Sequence, residues 1–131
     1  DTGMFKINRV SAAHDLGQPI NPMAATGQIE GAIVQGMGYA IMEKFAGPEE
    51  PPASFLDYLI PTSLDIPALE PMFIETNDPY GPFGAKGVGE PGMVAIAPAI
   101  ANAIYNAVGV RIRDLPITPE KILKGLREKK S

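Results

Sequence analysis

The chain has 131 residues, with 11 Lys and Arg against 15 Asp and Glu for a formal charge of −4, and it holds no cysteine and one histidine. That excludes disulfides, thiolate catalysis, iron–sulfur ligation by this chain and multi-histidine metal sites, and the acidic balance argues against a nucleic-acid-binding surface. Hydrophobic residues at 45% are enough for a buried core, no apolar run approaches the ~18–20 residues of a membrane span, and a cytoplasmic location is expected.

In chain order, residues 4–13 alternate well enough for a strand, with Phe5, Ile7 and Val10 as β-formers. Asp1-Thr2-Gly3 before them reads as a hairpin turn whose other strand is missing. Asn21-Pro22 is a helix start, with Asn as cap and Pro as first helical residue; Thr26 is an alternative cap because Gly27 weakens the opening. Ile29, Ile33, Met37, Ile41 and Phe45 recur at every fourth position, which predicts a helix ending by Gly47-Pro48. Gly27, Gly31 and Gly38 fall along another side of it, where a backbone or ligand can come close, and Gln28 and Gln35 project nearby.

Residues 47–68 carry Pro48, Pro51, Pro52, Pro61 and Pro67 and read as a loop. Phe55, Leu56, Tyr58, Leu59 and Ile60 predict that this loop packs down. Residues 72–76 read as a short strand, 77–90 as a Gly/Pro-rich loop, and 91–108 as helical with a kink or restart at Pro98. Thr118-Pro119-Glu120 opens a last helix, with Ile122, Leu123 and Leu126 inward and Arg127, Lys129 and Lys130 at its C-terminal end. The expected fold class is α+β, a few-stranded sheet with three or four helices in one domain over residues 1–131.

The loop before Pro91 concentrates Gly81, Gly84, Gly87 and Gly89 and ends on Glu90. Glycine at that density means positive φ or close backbone approach. A carboxylate at a helix entrance is pulled towards the charged form by the helix N-terminus and towards the neutral form by any apolar cavity, a balance suited to a general base. Lys86, four residues earlier, reads first as a cation that fixes the loop, and it would also favour the charged form of Glu90. The plainer reading makes Glu90 a surface residue complementing the helix dipole. The phosphate-loop pattern is absent, since Lys86 is followed by Gly87.

Gly84-Ala85-Lys86-Gly87-Val88-Gly89-Glu90-Pro91 resembles the catalytic-glutamate loop of the molybdenum hydroxylases, the xanthine dehydrogenase and aldehyde oxidase family. Asn21-Pro22, Gly27-Gln28-Ile29-Glu30-Gly31-Ala32 and Gln35-Gly36-Met37-Gly38 resemble the pterin-contacting helix of the same subunit. His14-Asp15-Leu16-Gly17, Tyr58-Leu59-Ile60-Pro61-Thr62 and Thr118-Pro119-Glu120-Lys121 also fit, in the family's order. The resemblance implies that Glu90 is the general base as water-derived oxygen is delivered to a heteroaromatic (purine-like) or aldehyde carbon. It implies that Gln28 hydrogen-bonds the molybdenum–molybdopterin cofactor and that the backbone of Gly87, Val88 and Gly89 approaches it. No residue of this chain is expected to ligate the metal.

The family's catalytic subunit is several times longer. The resemblance therefore implies a C-terminal segment of the molybdopterin-binding subunit, either a cut piece or a split small subunit. Its expected partners are the remainder of that subunit, iron–sulfur and flavin (FAD) domains or subunits, and a small-molecule substrate, within an oligomer that involves neither nucleic acid nor membrane. Two rivals remain: a non-catalytic assembly or binding module, and a related molybdenum enzyme such as carbon monoxide dehydrogenase or a reductase. His14 is read as a structural hydrogen-bonding residue, Asp15 as the cap of the turn to Gly17, and Met37, Met42, Met72 and Met93 as core filler.

Overall fold

The computed structural model describes residues 2–130, so Asp1 of the expected opening turn and the side chain of Lys130 lie outside the described residues. The elements run β1 (Arg9–Asp15), α1 (Pro22–Ile41), β2 (Ala68–Ile74), α2 (Pro91–Val94), α3 (Ile96–Val108) and α4 (Pro119–Lys130), with one 3-10 turn at Pro82–Gly84. This is the α+β class read from the sequence.

The first strand finds a partner within the chain that the sequence reading did not assign to it. β1 pairs with β2 in parallel, Arg9 against Ala68 through Asp15 against Ile74. Alternation in residues 4–13 announces a strand but carries no information about its partner, which arrives only after α1 and a long loop. Side chains alternate as the pleat requires. Val10, Ala12 and His14 lie half-buried on the inner face with Leu69, Pro71 and Phe73, while Ser11, Ala13, Met72 and Ile74 stay exposed.

α1 starts as its sequence dictates. Asn21 is extended, its Oδ1 accepts from Ala24 N at 3.0 Å, and Pro22 follows as the first helical residue. This satisfies one of the amides that a helix start leaves unpaired. Ile29, Ile33 and Met37 are fully buried. The helix ends at Ile41, six residues short of the Gly47-Pro48 stop. The amides of both Met42 and Glu43 converge on Gly38 O at 2.9 Å, which turns the chain outward. Phe45 therefore leaves the apolar stripe and is exposed.

The loop that follows does not pack down as its apolar content suggests. Tyr58 Oη donates to Glu43 Oε2 at 2.6 Å, and Pro61 lies against Gly38. Phe55, Leu56, Leu59 and Leu64 face outward. Composition predicts that these side chains want cover, and the described residues leave them exposed.

The core lies between α1 and the C-terminal helices. Ile96, Ile100 and Ile104 of α3 meet the α1 stripe, with Ile117 and Ile122 closing one end. A Cβ at Gly36 would come within 2.7 Å of Ile96 Cβ, so this glycine serves helix–helix packing. The restart expected near Pro98 occurs at Ala95, which separates α2 from α3 and leaves Pro98 in the first turn, where its missing N–H costs nothing. Gly109 closes α3 in the left-handed region, φ 69°, and Lys129 Nζ reaches Val108 O at 3.3 Å. Pro91–Val108 is, by length and composition alone, apolar enough to cross a membrane. It is nevertheless two helices, and the 13 residues of α3 rise only about 20 Å against a hydrocarbon thickness of about 30 Å. Its inward isoleucines belong to the core.

Candidate functional site

Residues 84–90 are laid along the chain that links β1 to α1. Gln18 N donates to Gly84 O at 2.7 Å and Lys86 N to Leu16 O at 2.8 Å, while Gly17 and Ala85 form a bridge. Gly17 has φ 58°, and any Cβ there would strike Gly84 O, so glycine is required on both counts. The charged lock on this arrangement is not legible in the sequence. Lys86 Nζ lies 2.6 Å from Asp15 Oδ2 and 2.9 Å from Thr76 Oγ1, and Thr76 Oγ1 donates to Asp15. Gly17 N also donates to Asp15 Oδ1 at 2.9 Å, the turn cap that was expected. Hydrogen bonds from Lys86, Gly17 and Thr76 pull the Asp15 carboxyl down to about 2. The Lys86 ammonium is thus the loop-fixing cation read from the sequence, committed to Asp15 and Thr76 and not paired with Glu90.

The loop then delivers its last residues to α1. Gly92 is buried, and a Cβ there would fall 2.8 Å from Ala32 Cβ, so α2 rests almost backbone-to-helix on α1. That close approach brings Gly89 and Glu90 over the exposed side of α1. Together with Gly27, Gln28, Gly31, Gln35 and Met93 they line a cleft of about 370 Å³. Gln28 Nε2 donates to Gly89 O at 3.4 Å. Gln28 also borders a second depression of about 340 Å³, with Asn21, Ala24, Lys86 and Val88 around it. Its side chain stands on the ridge between the two.

The five residues singled out in the sequence are therefore distributed as follows. Gln28, Gly89 and Glu90 share one cleft. Val88 borders the other, with its side chain half-buried against the core. Gly87 is exposed between them. Glu90 sits at the N-cap of α2 but makes no capping hydrogen bond, and its carboxylate is exposed. The helix it enters is four residues long, so the dipole invoked from the sequence is that of a single turn. Met93, read as core filler, is half-buried at the cleft wall.

Glycine explains the character of the site. Gly38 is packed against Pro61, so the stripe of Gly27, Gly31 and Gly38 read from the sequence is divided. Gly27, Gly31, Gly87 and Gly89 are different: a Cβ at any of them would meet nothing within 4 Å, and none of the four has positive φ. A glycine inside a helix costs roughly 0.5–1 kcal/mol against alanine. Among the described residues no close packing offsets that cost at Gly31.

His14 shows one further departure. Its Nε2 is buried without a hydrogen-bond partner, near Gly92. The expected structural bond is not made at this nitrogen.

Comparison with known proteins shows what the whole chain is similar to. The profile of the molybdopterin cofactor-binding domain matches residues 1–67. The xanthine dehydrogenase molybdenum-binding subunit of Escherichia coli O157:H7 is 40% identical over 121 residues, covering 88% of this chain and 16% of that protein. The 6-hydroxypseudooxynicotine dehydrogenase complex subunit gamma of Paenarthrobacter nicotinovorans is 44% identical over 128 residues, covering 93% and 16%. The aldehyde oxidoreductase from Desulfovibrio gigas superposes with a TM-score of 0.90 at 38% identity, covering 96% of this chain and 14% of that one. The chain thus spans about one-sixth of the length of the relatives it matches.

Proposed function

The chain belongs to the molybdopterin cofactor-binding domain family of the xanthine dehydrogenase and aldehyde oxidoreductase type, and from that premise we propose that it forms one wall of the active site of a molybdenum hydroxylase. The reaction proposed is oxidation of a heteroaromatic or aldehyde carbon with oxygen derived from water, and Glu90 is the general base. The observation that carries this reading is the cleft itself. Gln28, Gly89 and Glu90 converge over a side of α1 where Gly27 and Gly31 leave open space that no described residue fills.

The residues present fit the cofactor of the family. When bound, molybdenum–molybdopterin supplies the two-electron redox centre. The open faces at Gly27, Gly31, Gly87 and Gly89 admit a flat, polar group to backbone distance. Gln28 spends one N–H on Gly89 O, which leaves its carbonyl oxygen and second N–H for a pterin or phosphate edge. The Gly89 bond also holds the amide in place before the ligand arrives.

The Glu90 carboxylate is committed to no cap and to no ion pair among the described residues. It is free to accept a proton from a group placed in the cleft and to release it to solvent. Its role is that of a positioned base, with α2 anchored on Ala32 through Gly92 to fix where it stands. The Asp15–Lys86–Thr76 lock holds the other end of the same loop. Iron–sulfur clusters and FAD are assigned to other domains or subunits, since this chain has no cysteine to ligate iron.

The test is Glu90→Gln in the complete enzyme. Turnover should fall by on the order of 10²–10⁴ with molybdenum content unchanged. A variant that retains the wild-type rate would remove Glu90 from the chemistry.

A further inference from the structure

The hydrogen bonds that bracket the sheet fix the direction of every amide in it. Ala68 N donates to Asn8 O at 3.3 Å, and Leu16 N to Ile74 O at 3.1 Å. In a parallel ladder alternate residues face the partner strand. Val10, Ala12 and His14 therefore turn their main chain to β2, whereas Arg9, Ser11 and Ala13 direct theirs to the opposite edge. The sheet has two strands among the described residues, so that edge of β1 is bare. The outer edge of β2 is presented by Leu69, Pro71 and Phe73, and Pro71 interrupts it by lacking an N–H. The two edges are thus unequal, and only β1 offers an unbroken run of donors and acceptors.

An apolar groove of about 870 Å³ runs beside residues 5–11. Phe5, Ile7 and Val10 form one wall, and Ala99, Ala103 and Ala107 of α3 form the other. Val10 and Ser11 point to opposite faces of the sheet yet both line it, as does Ala68, which puts the groove around the first residues of β1 where the free edge begins. The charged residues in its lining are Lys6 and Arg9, both cations. Parallel sheets occur with both faces covered, and an open edge of this kind invites another strand.

We propose that this edge and groove receive an extended segment from the remainder of the molybdenum-binding subunit, added as a third strand beside β1. The segment carries apolar side chains at alternate positions, which fill the groove over the α3 alanines, and an acidic residue opposite Lys6. The inference rests on the reading that the chain is one part of a longer subunit, as its 16% coverage of the relatives suggests. A second copy of β1 fits poorly. Val10 and Ala12, its inward side chains, already pack against the core of their own copy.

Two measurements on the complete enzyme decide the matter. In residue-resolved hydrogen exchange, the amides of Ser11 and Ala13 should be as protected as those of Val10 and Ala12. Exchange at the rate of the exposed loop amides around Leu64 overturns the proposal. In the second, a photo-crosslinking residue replaces Ala103 in enzyme assembled from isotopically light and heavy molybdenum-binding subunits. Cross-links should join residue 103 to the remainder of the same subunit. Light–heavy pairs would identify a second copy, and cross-links to an iron–sulfur or flavin subunit would identify a different partner; either overturns the proposal. Neither readout depends on Glu90, so an active Glu90→Gln enzyme with a protected edge would sink the base assignment and leave the docking strand standing.

Discussion

Gln28 and Gly31 stand one turn apart on α1, and opposite outcomes are expected on substitution. Gln28→Ala removes the bond to Gly89 O and the amide offered to the cofactor. Retention of molybdopterin in the complete enzyme should weaken by about 0.5–1.5 kcal/mol, read as the cofactor released in a dilution series. Unchanged retention would show that the amide serves only the loop. Gly31→Ala adds a methyl where the chain places nothing. Helix propensity alone should raise the unfolding free energy of the cofactor-free protein by roughly 0.5–1 kcal/mol, measured by denaturant unfolding, while cofactor loading falls. A variant that is more stable and loads normally would mean that the bare face is not a docking surface for the ligand. The sequence marked both positions, because a glutamine beside glycines at helical spacing is visible as a pattern.

At the level of elements, the site depends on two attachments that hold the loop of residues 77–90. The first is the contact of Gly92 with Ala32. Gly92→Ala would force its new Cβ against Ala32 Cβ at 2.8 Å and lift α2 from α1. Overpacking of this kind costs about 1–3 kcal/mol, so a lower melting temperature and a loss of turnover together are expected. The second is the ion pair of Lys86 with Asp15. The Asp15 carboxyl titrates at about 2 in the folded chain, against an ordinary value of 3.8 for an aspartate. Because the folded value is the lower one, the contribution of this lock is complete above about pH 4 and disappears as the pH falls towards 2. Carboxyl titration by NMR should show Asp15 still ionised at about pH 3, and Lys86→Met should move its midpoint up towards the ordinary value. A wild-type midpoint near the ordinary value would mean that the lock is not formed in solution. Neither attachment could be read in advance. Asp15 and Lys86 lie 71 residues apart, and no local pattern announces a pairing over that distance.

Across the whole molecule, the exposed apolar side chains follow one logic. Phe55, Leu56, Leu64, Tyr80 and Phe83 are all largely uncovered, and so are the β1 edge and the groove beside it. Exposed patches of this extent mark surfaces that bury against something else. The two clefts at Gln28 are likewise open on one side, and no cluster of His, Asp and Glu among the described residues is arranged to hold a metal ion. The 131-residue chain by itself should therefore contain no stoichiometric molybdenum by metal analysis. Stoichiometric metal in the isolated chain would contradict the reading of one wall among several.

Local signals in the sequence determined whatever depends on neighbouring residues. Asn21-Pro22 set the start of α1, the four-residue spacing of Ile29, Ile33 and Met37 set its buried face, Gly109 ended α3, and the ordered glycines with Gln28 and Glu90 pointed to the family. Their physics acts over one or two helical turns or within one loop, so residue order is enough to reveal it. The tertiary structure alone decided that β1 pairs in parallel with β2, that Lys86 belongs to Asp15 rather than to Glu90, and that the open glycines are Gly27 and Gly31 while Gly36 and Gly38 are packed. Each of these is a choice among partners distant along the chain. Such choices are settled by which surfaces can be buried together and which charges then meet, and composition and spacing do not encode that.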